Sequence, residues 1–249
     1  MSEPAITAAM LVIGDEILSG RTKDKNIGYL ADYLTERGID LREARIVPDI
    51  EEEIVAALNA MRARYTYVFT SGGIGPTHDD ITADSIAKAL GVGIDYDERA
   101  LAMMRERYAP GELNEARMRM ARIPFGATLI ENPISKAPGF MIENVITMAG
   151  VPSIMQAMLD DVSQYLASGV KVMVETIDAQ GLPEGSYASA LAEIDKAHPD
   201  VSIGSYPSFT GAGFRNQIVV RGRDRAAIDA ALGDIRALLD QTTGDNAPA

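Results

Sequence analysis

Short apolar segments alternate with amphipathic segments over the first two thirds of the chain, and this alternation constrains the fold most. The predicted pairs are strand 6–13 with helix 27–34, strand 41–47 with helix 54–61, and strand 65–70 with helix 83–90. Strand and helix in strict alternation predict an α/β fold of three layers, in which helices cover both faces of a mostly parallel sheet. Later strands are expected at 128–130 and across 139–148, before a helix that follows Pro152.

The composition excludes several kinds of protein and of site. The chain has 249 residues and is 47% hydrophobic, which is enough to bury a core. It has no cysteine and two histidines, so disulfides, thiolate sites and multi-histidine zinc sites are excluded. A net charge of -13 argues against a nucleic-acid partner. No apolar run is long enough for a membrane span and no export signal is seen, so a cytoplasmic location without a membrane partner is expected.

A second pattern begins near residue 168. Strand 170–178, helix 187–194, strands 201–206 and 217–221, and helix 228–235 follow in that order. This β-α-β-β-α order predicts a small α+β domain of ferredoxin-like type. The predicted domains are therefore 1–167 and 168–249, and the polar tail at 242–249 is expected to fray.

A glycine-rich loop at the end of the third strand is the best sequence clue to function. Gly72, Gly73 and Gly75 lie within four positions and precede a helix that begins near Thr82. Glycines let the backbone approach a ligand, and the free N–H groups of a helix N-terminus attract anions. The loop is thus a candidate phosphate site.

Two carboxylates, Asp79 and Asp80, stand in the same loop and would repel a phosphate. A divalent cation such as Mg²⁺ between carboxylate and phosphate would remove this conflict, because hard cations prefer oxygen ligands. The alternative is that either aspartate only caps the helix that follows. His78 could donate a proton to phosphate, or could simply be solvated.

Other loops are expected to join this site, because parallel strands place their carboxyl ends at one edge of a sheet. The loops in question are 14–22, 48–49, 72–80 and 150–153. Between the later strands, Ser135 and Lys136 offer a hydroxyl and an ammonium group to a phosphate or ribose, although an exposed lysine is often only solvated. Three nearby arginines could likewise contact an anion, or could form a solvent-exposed charged face of a helix. They are Arg117, Arg119 and Arg122.

Several separated motifs resemble one known family. They are Gly14-Asp15-Glu16-Ile17-Leu18-Ser19-Gly20, Pro48-Asp49, and Gly72-Gly73-Ile74-Gly75-Pro76-Thr77-His78-Asp79-Asp80-Ile81-Thr82. Together they resemble the molybdopterin-binding (MoaB/Mog-like) fold family over residues 6–166. The likeness is greatest to the N-terminal domain of CinA-type competence/damage-inducible proteins and to the matching domain of FAD synthases, in a stand-alone form.

The resemblance implies a metal-dependent nucleotide pyrophosphatase that acts on ADP-ribose or FAD. Asp15, Asp49 and Asp80 match acidic positions of the family, and these three are the expected catalytic residues. The alternative is a protein that binds or adenylylates molybdopterin without hydrolysis, and a third possibility is an interaction role for the small domain. CinA-type chains usually carry Pro-Gly-Pro-Pro followed by Glu, whereas this chain has Ile154 near the place of that acid.

Besides the three catalytic residues, the expected site contains two further sets of residues. The metal ligands are Asp15, Asp79 and Asp80. The substrate-binding residues are Ser71, Gly72, Gly73, Gly75, Pro76, Thr77, Ser135, Lys136, Gly139 and Gly150. The expected partner is a small nucleotide or pterin phosphate, and methionine-rich helix faces favour self-association into a homo-oligomer.

Overall fold

The computed structural model describes residues 5–109, 111–210 and 213–245, and the chain divides into two compact units, Met1–Gly169 and Val170–Ala249. The strands of the first unit are β1 (Thr7–Ile13), β2 (Asp40–Val47), β3 (Tyr67–Ser71), β4 (Ile94–Tyr96), β5 (Arg122–Pro124), β6 (Thr128–Ile130), β7 (Gly139–Ile142) and β8 (Val145–Met148). Its helices are α1 (Asp15–Leu18), α2 (Asn26–Thr35), α3 (Glu51–Arg62), α4 (Thr82–Leu90), α5 (Glu98–Arg105), α6 (Glu115–Met118) and α7 (Pro152–Val162).

The main sheet has six strands in the order β2-β1-β3-β8-β7-β6. Strands β2, β1, β3 and β8 pair in parallel, whereas β7 is antiparallel to both β8 and β6. Five of the six strands therefore point the same way, and the predicted mostly parallel sheet is confirmed. The stretch expected as strand across 139–148 is a tight hairpin, in which Glu143 adopts the left-handed conformation (φ 51°) between β7 and β8.

Strand β1 shows why the apolar runs predicted buried strands. Side chains alternate between the faces of a sheet, so Ala8, Met10 and Val12 belong to one core and Ala9, Leu11 and Ile13 to the other. Helices α2 and α7 cover the first of these cores, and helices α3, α4 and α5 cover the second. A strand that is buried on both faces has no polar alternation, and three layers follow directly.

The second unit contains β9 (Met173–Asp178), α8 (Ala188–Ala197), β10 (Val201–Thr210), β11 (Gly213–Gly222) and α9 (Arg225–Asp245). Its sheet has the order β10-β11-β9 with antiparallel pairs, and both helices contribute to one apolar core. The predicted α+β organisation is confirmed. The tail expected to fray from residue 242 is helical as far as Asp245, and residues 246–249 lie outside the described residues.

Within the described parts of the chain, no helix is both long enough and apolar enough to cross a membrane.

Candidate functional site

The carboxyl ends of β1 and β3 lie at the point where the chain order in the sheet reverses. From β1 the chain proceeds to β2 on one side of it and then to β3 on the other, and such switch points form ligand crevices in open α/β sheets. The backbone N–H of Asp15, after β1, donates to Oδ2 of Asp49, after β2, over 3.0 Å. Gly72, after β3, donates its N–H to the carbonyl of Met148 at the end of β8. The loops expected to converge are therefore in contact.

Two glycines allow this convergence. Gly72 has φ 106°, and a Cβ there would lie 2.1 Å from the carbonyl oxygen of Ile13. Gly73 has φ 65°, and its Cβ would lie 2.1 Å from the hydroxyl oxygen of Thr82. Each position thus requires glycine for two reasons, a left-handed backbone and the absence of space.

Thr82, the first residue of α4, fixes the glycine loop to the helix and was not predicted as part of the site. Its side chain is fully buried, and its hydroxyl donates to the Gly72 carbonyl over 2.9 Å. Its backbone N–H donates to the Gly73 carbonyl over 3.0 Å. The loop and the start of α4 are consequently one rigid element, as a preorganised anion site requires.

The carboxylate of Asp49 lies half-buried beside Gly73 of the glycine loop. Its half-buried position raises its pKa, because burial disfavours the charged form. The N–H of Asp15 opposes this effect, whereas the negative charges of Asp15, Glu16 and Asp79 raise the pKa further. Asp49 therefore accepts a proton more readily than an ordinary aspartate does.

Asp80 faces the other side of the glycine loop. It accepts hydrogen bonds from the backbone N–H of Thr77 over 2.8 Å and from the Thr77 hydroxyl, and it lies against Gly75. Helix α4 has no side-chain cap among the described residues, so neither aspartate has the alternative capping role. The side chain of Asp79 is 62% exposed and that of His78 is 99% exposed.

The predicted metal ligands Asp15, Asp79 and Asp80 do not form a cage. The described residues contain no group of three or more acidic or histidine side chains that could hold a metal ion. The chemistry around Asp49 nevertheless fits a cation, because the negative charges of Asp15, Glu16 and Asp79 act on its carboxylate. Mg²⁺ commonly takes only one or two carboxylates and completes its shell with water and substrate phosphate.

The loop with Ser135 and Lys136 is held largely by its own contacts. Buried Asn132 donates to the Ser135 hydroxyl over 2.6 Å and to the Ala137 carbonyl over 2.9 Å. Lys136 has a left-handed backbone (φ 63°), and its Nζ lies 3.2 Å from Oε2 of Glu106. In this arrangement the Ser135 hydroxyl and the Lys136 ammonium group already have partners. Asn132, which holds the loop, was not among the residues predicted for the site.

Two predicted binding residues make structural contacts within the first unit. Gly139 is buried in β7, where a Cβ would lie 2.2 Å from the carbonyl oxygen of Thr147. The Ser71 side chain is buried and bonded to Asn26. Pro76 and Thr77 are exposed in the glycine loop, Gly150 is exposed beside Gly72, and Ile154 packs with the core under α7.

Asn26, at the start of α2, connects two of the converging loops. Its Nδ2 donates to the Ser71 hydroxyl and to the Gly150 carbonyl, both over 2.8 Å. Its side chain is 5% exposed, and its Oδ1 is buried without a partner among the described residues. No local pattern reveals this role, since an asparagine at a helix start predicts a cap.

We expect Asn26→Ala to lower the free energy of unfolding by about 2–3 kcal/mol, since it removes two hydrogen bonds and leaves buried Ser71 with one partner fewer. Urea denaturation followed by circular dichroism measures this change. The matched control is Asn59→Ala on α3, which removes one part-buried bond from Arg62 and should cost no more than about 1 kcal/mol. Equal losses in the two variants would contradict the connecting role of Asn26.

Comparison with known proteins covers both units. Residues 9–168 match the family model of the probable molybdopterin binding domain. Residues 171–246 match the model of the FAD synthase middle domain.

Several related proteins come from archaea. A protein of Pyrobaculum calidifontis is 35% identical over 81% of this chain and 80% of its own length. Protein Ta0487 of Thermoplasma acidophilum is 32% identical over 80% of each chain. The crystal structure of the protein CinA, of unknown function, from Thermoplasma acidophilum matches with a TM-score of 0.62 and 36% identity, covering 65% of this chain and 98% of that chain.

Proposed function

The chain belongs to the family of the probable molybdopterin binding domain and is similar to the protein CinA, and on this basis we propose that it is a metal-dependent nucleotide pyrophosphatase acting on ADP-ribose or FAD. The single observation that carries the proposal is the half-buried carboxylate of Asp49 at this crevice, which accepts the N–H of Asp15 after β1 and lies beside Gly73 of the glycine loop. Burial raises the pKa of this carboxylate, so it accepts a proton more readily than an exposed aspartate does.

Hydrolysis of the diphosphate requires that the protein bind the phosphate in a fixed position and that a base accept a proton from the attacking water. Water attacks one phosphorus of the diphosphate, the bond between that phosphorus and the bridging oxygen breaks, and AMP leaves with ribose 5-phosphate or FMN. Asp49 accepts the proton that the water loses, and the glycine loop with the N-terminus of α4 holds the phosphate. A bound divalent ion would supply neutralisation of phosphate charge, with Asp15, Glu16 and Asp79 as the side chains able to hold it.

We expect the purified chain to release AMP from ADP-ribose or FAD in the presence of Mg²⁺ or Co²⁺. Chromatography should detect AMP and ribose 5-phosphate in equal amounts from ADP-ribose, and EDTA should stop their release because the charge on the diphosphate is then no longer neutralised. Absence of AMP with every metal tested would contradict the proposal.

A second function is molybdopterin binding without hydrolysis. The match of residues 9–168 to the probable molybdopterin binding domain favours it. Tight binding of molybdopterin, together with no binding of nucleotides, would select this function over the first.

A further inference from the structure

A cleft adjoins the glycine loop, and Asp49 is not among its lining residues. Its lining includes Gly75, Asp80, Asp84, Arg119, Arg122 and Phe140. Two carboxylates and two guanidinium groups face the same space, so their formal charges cancel. Which of the two arginines is free to contact a ligand therefore decides what the cleft can bind.

Arg122 is already engaged. Its Nη2 donates to Oδ1 of Asp84 over 2.5 Å, and its Nε lies 3.4 Å from Oδ2 of the same carboxylate. Its guanidinium also lies over the ring of Tyr96, 5.9 Å from the centroid. The Arg122–Asp84 pair is neutral as a unit and joins β5 to α4, which gives it a structural role.

Arg119 is different. It lies in a short 3-10 turn, Arg119–Ala121, between α6 and β5. Its Nε is buried without a hydrogen-bond partner among the described residues. A buried N–H that lacks an acceptor is unfavourable, so a ligand oxygen in the cleft would stabilise it.

Arg117 offers a comparison two residues away. Its guanidinium lies over the ring of Tyr108 at 4.6 Å, and its Nη1 donates to the Glu112 carbonyl over 2.6 Å. It does not line the cleft. Arg117 and Arg119 therefore carry the same charge in nearly the same stretch of chain but differ in whether a partner already occupies them.

We propose that Arg119 binds a second anionic group of the substrate, next to the phosphate that the glycine loop holds, and thereby selects diphosphate over monophosphate ligands. A guanidinium presents a planar fork that matches two phosphate oxygens. This inference rests on the proposed function, because it assigns the substrate of the same cleft.

The test compares the binding of α,β-methylene-ADP, which cannot be hydrolysed at its bridging carbon, with that of AMP. Isothermal titration calorimetry with Mg²⁺ is performed on the full chain and on Arg119→Gln, Arg119→Lys and Arg117→Gln. The original chain should bind the diphosphate at least about tenfold more tightly than AMP. Arg119→Gln should reduce that ratio to about twofold or less, Arg119→Lys should retain part of it, and Arg117→Gln should leave it unchanged.

Three results would overturn the inference. They are an original chain that does not prefer the diphosphate, an Arg119→Gln variant that keeps the full ratio, and equal losses in the Arg117 and Arg119 variants. Thermal unfolding of each variant shows whether it is folded. If Arg119→Gln does not fold, Arg119→Lys takes its place, and a full diphosphate preference in Arg119→Lys then contradicts the inference.

Release of AMP is measured separately, so the two proposals can fail independently. Diphosphate selection that depends on Arg119, in a chain that releases no AMP, supports the inference and contradicts the hydrolase. Release of AMP by a chain whose diphosphate preference survives Arg119→Gln supports the hydrolase and contradicts the inference.

Discussion

Replacing Asp49 with asparagine is expected to lower kcat/KM for ADP-ribose by about 10²–10⁴-fold while the chain stays folded. Asparagine keeps an oxygen that can accept the N–H of Asp15, so the contact between the loops after β1 and β2 is preserved. What it loses is the ability to take a proton from water. AMP release measured over a range of ADP-ribose concentrations gives kcat and KM.

The control for Asp49→Asn is Glu53→Gln, because Glu53 is an exposed carboxylate on α3 that is not among the acids acting on Asp49. It should change kcat/KM by less than about fivefold, since exposed charges are well screened. An Asp49→Asn variant that retains activity close to that of the original chain would contradict the assignment of the proton acceptor.

The raised pKa of Asp49 also sets the expected pH dependence. Only the ionised form accepts a proton, so the acidic limb of the kcat/KM profile should lie above pH 3.8, the ordinary pKa of aspartate.

The contribution of Asp49 to folding stability changes with pH in the opposite direction to activity. Because the folded chain holds this proton more tightly than the unfolded chain, the contribution of Asp49 to stability falls as pH rises from its unfolded pKa through its raised folded pKa. Asp49→Asn should remove that fall.

The largest expected effect on stability comes from Gly72→Ala, which should lower the free energy of unfolding by more than about 3 kcal/mol. The new Cβ would lie 2.1 Å from the carbonyl oxygen of Ile13, and neither backbone can move without separating β1 from β3. The left-handed φ adds a second cost. Urea denaturation measures the loss, and AMP release should disappear with it because the glycine loop is displaced.

Gly20→Ala separates the two costs. Gly20 also has a left-handed backbone, with φ 73°, but a Cβ there would meet nothing within 4 Å. Its replacement should cost about 1 kcal/mol, which is the conformational part alone. If Gly72→Ala lowered the free energy of unfolding no more than Gly20→Ala does, this result would contradict the close approach of the ends of β1 and β3.

Much of this architecture follows from local patterns. The continuous apolar run at β1 predicts burial on both faces, and the helical spacing at 27–34 predicts α2 within a residue or two of its bounds. The convergence of loops also follows, because parallel strands place their carboxyl ends together. The β7–β8 hairpin was less visible, since the turn at Glu143 interrupts an otherwise strand-like stretch by only two residues.

The details of the site depend on contacts between distant parts of the chain. Asn26 bonds to residues 45 and 124 positions away, and no local pattern carries that information. The difference between Arg117 and Arg119 is of the same kind, because each could be a solvated arginine until Tyr108 is seen to cover only the first. Gly139 looks like a ligand glycine in sequence, yet it makes room for the backbone of Thr147.

A structure of the chain with bound ADP-ribose tests the central claim most directly. The account predicts that the diphosphate lies against Gly72, Gly73 and Gly75, with one phosphate near Asp49 and the other toward Arg119. ADP-ribose bound elsewhere on the chain, with the glycine loop free of phosphate, would contradict the account.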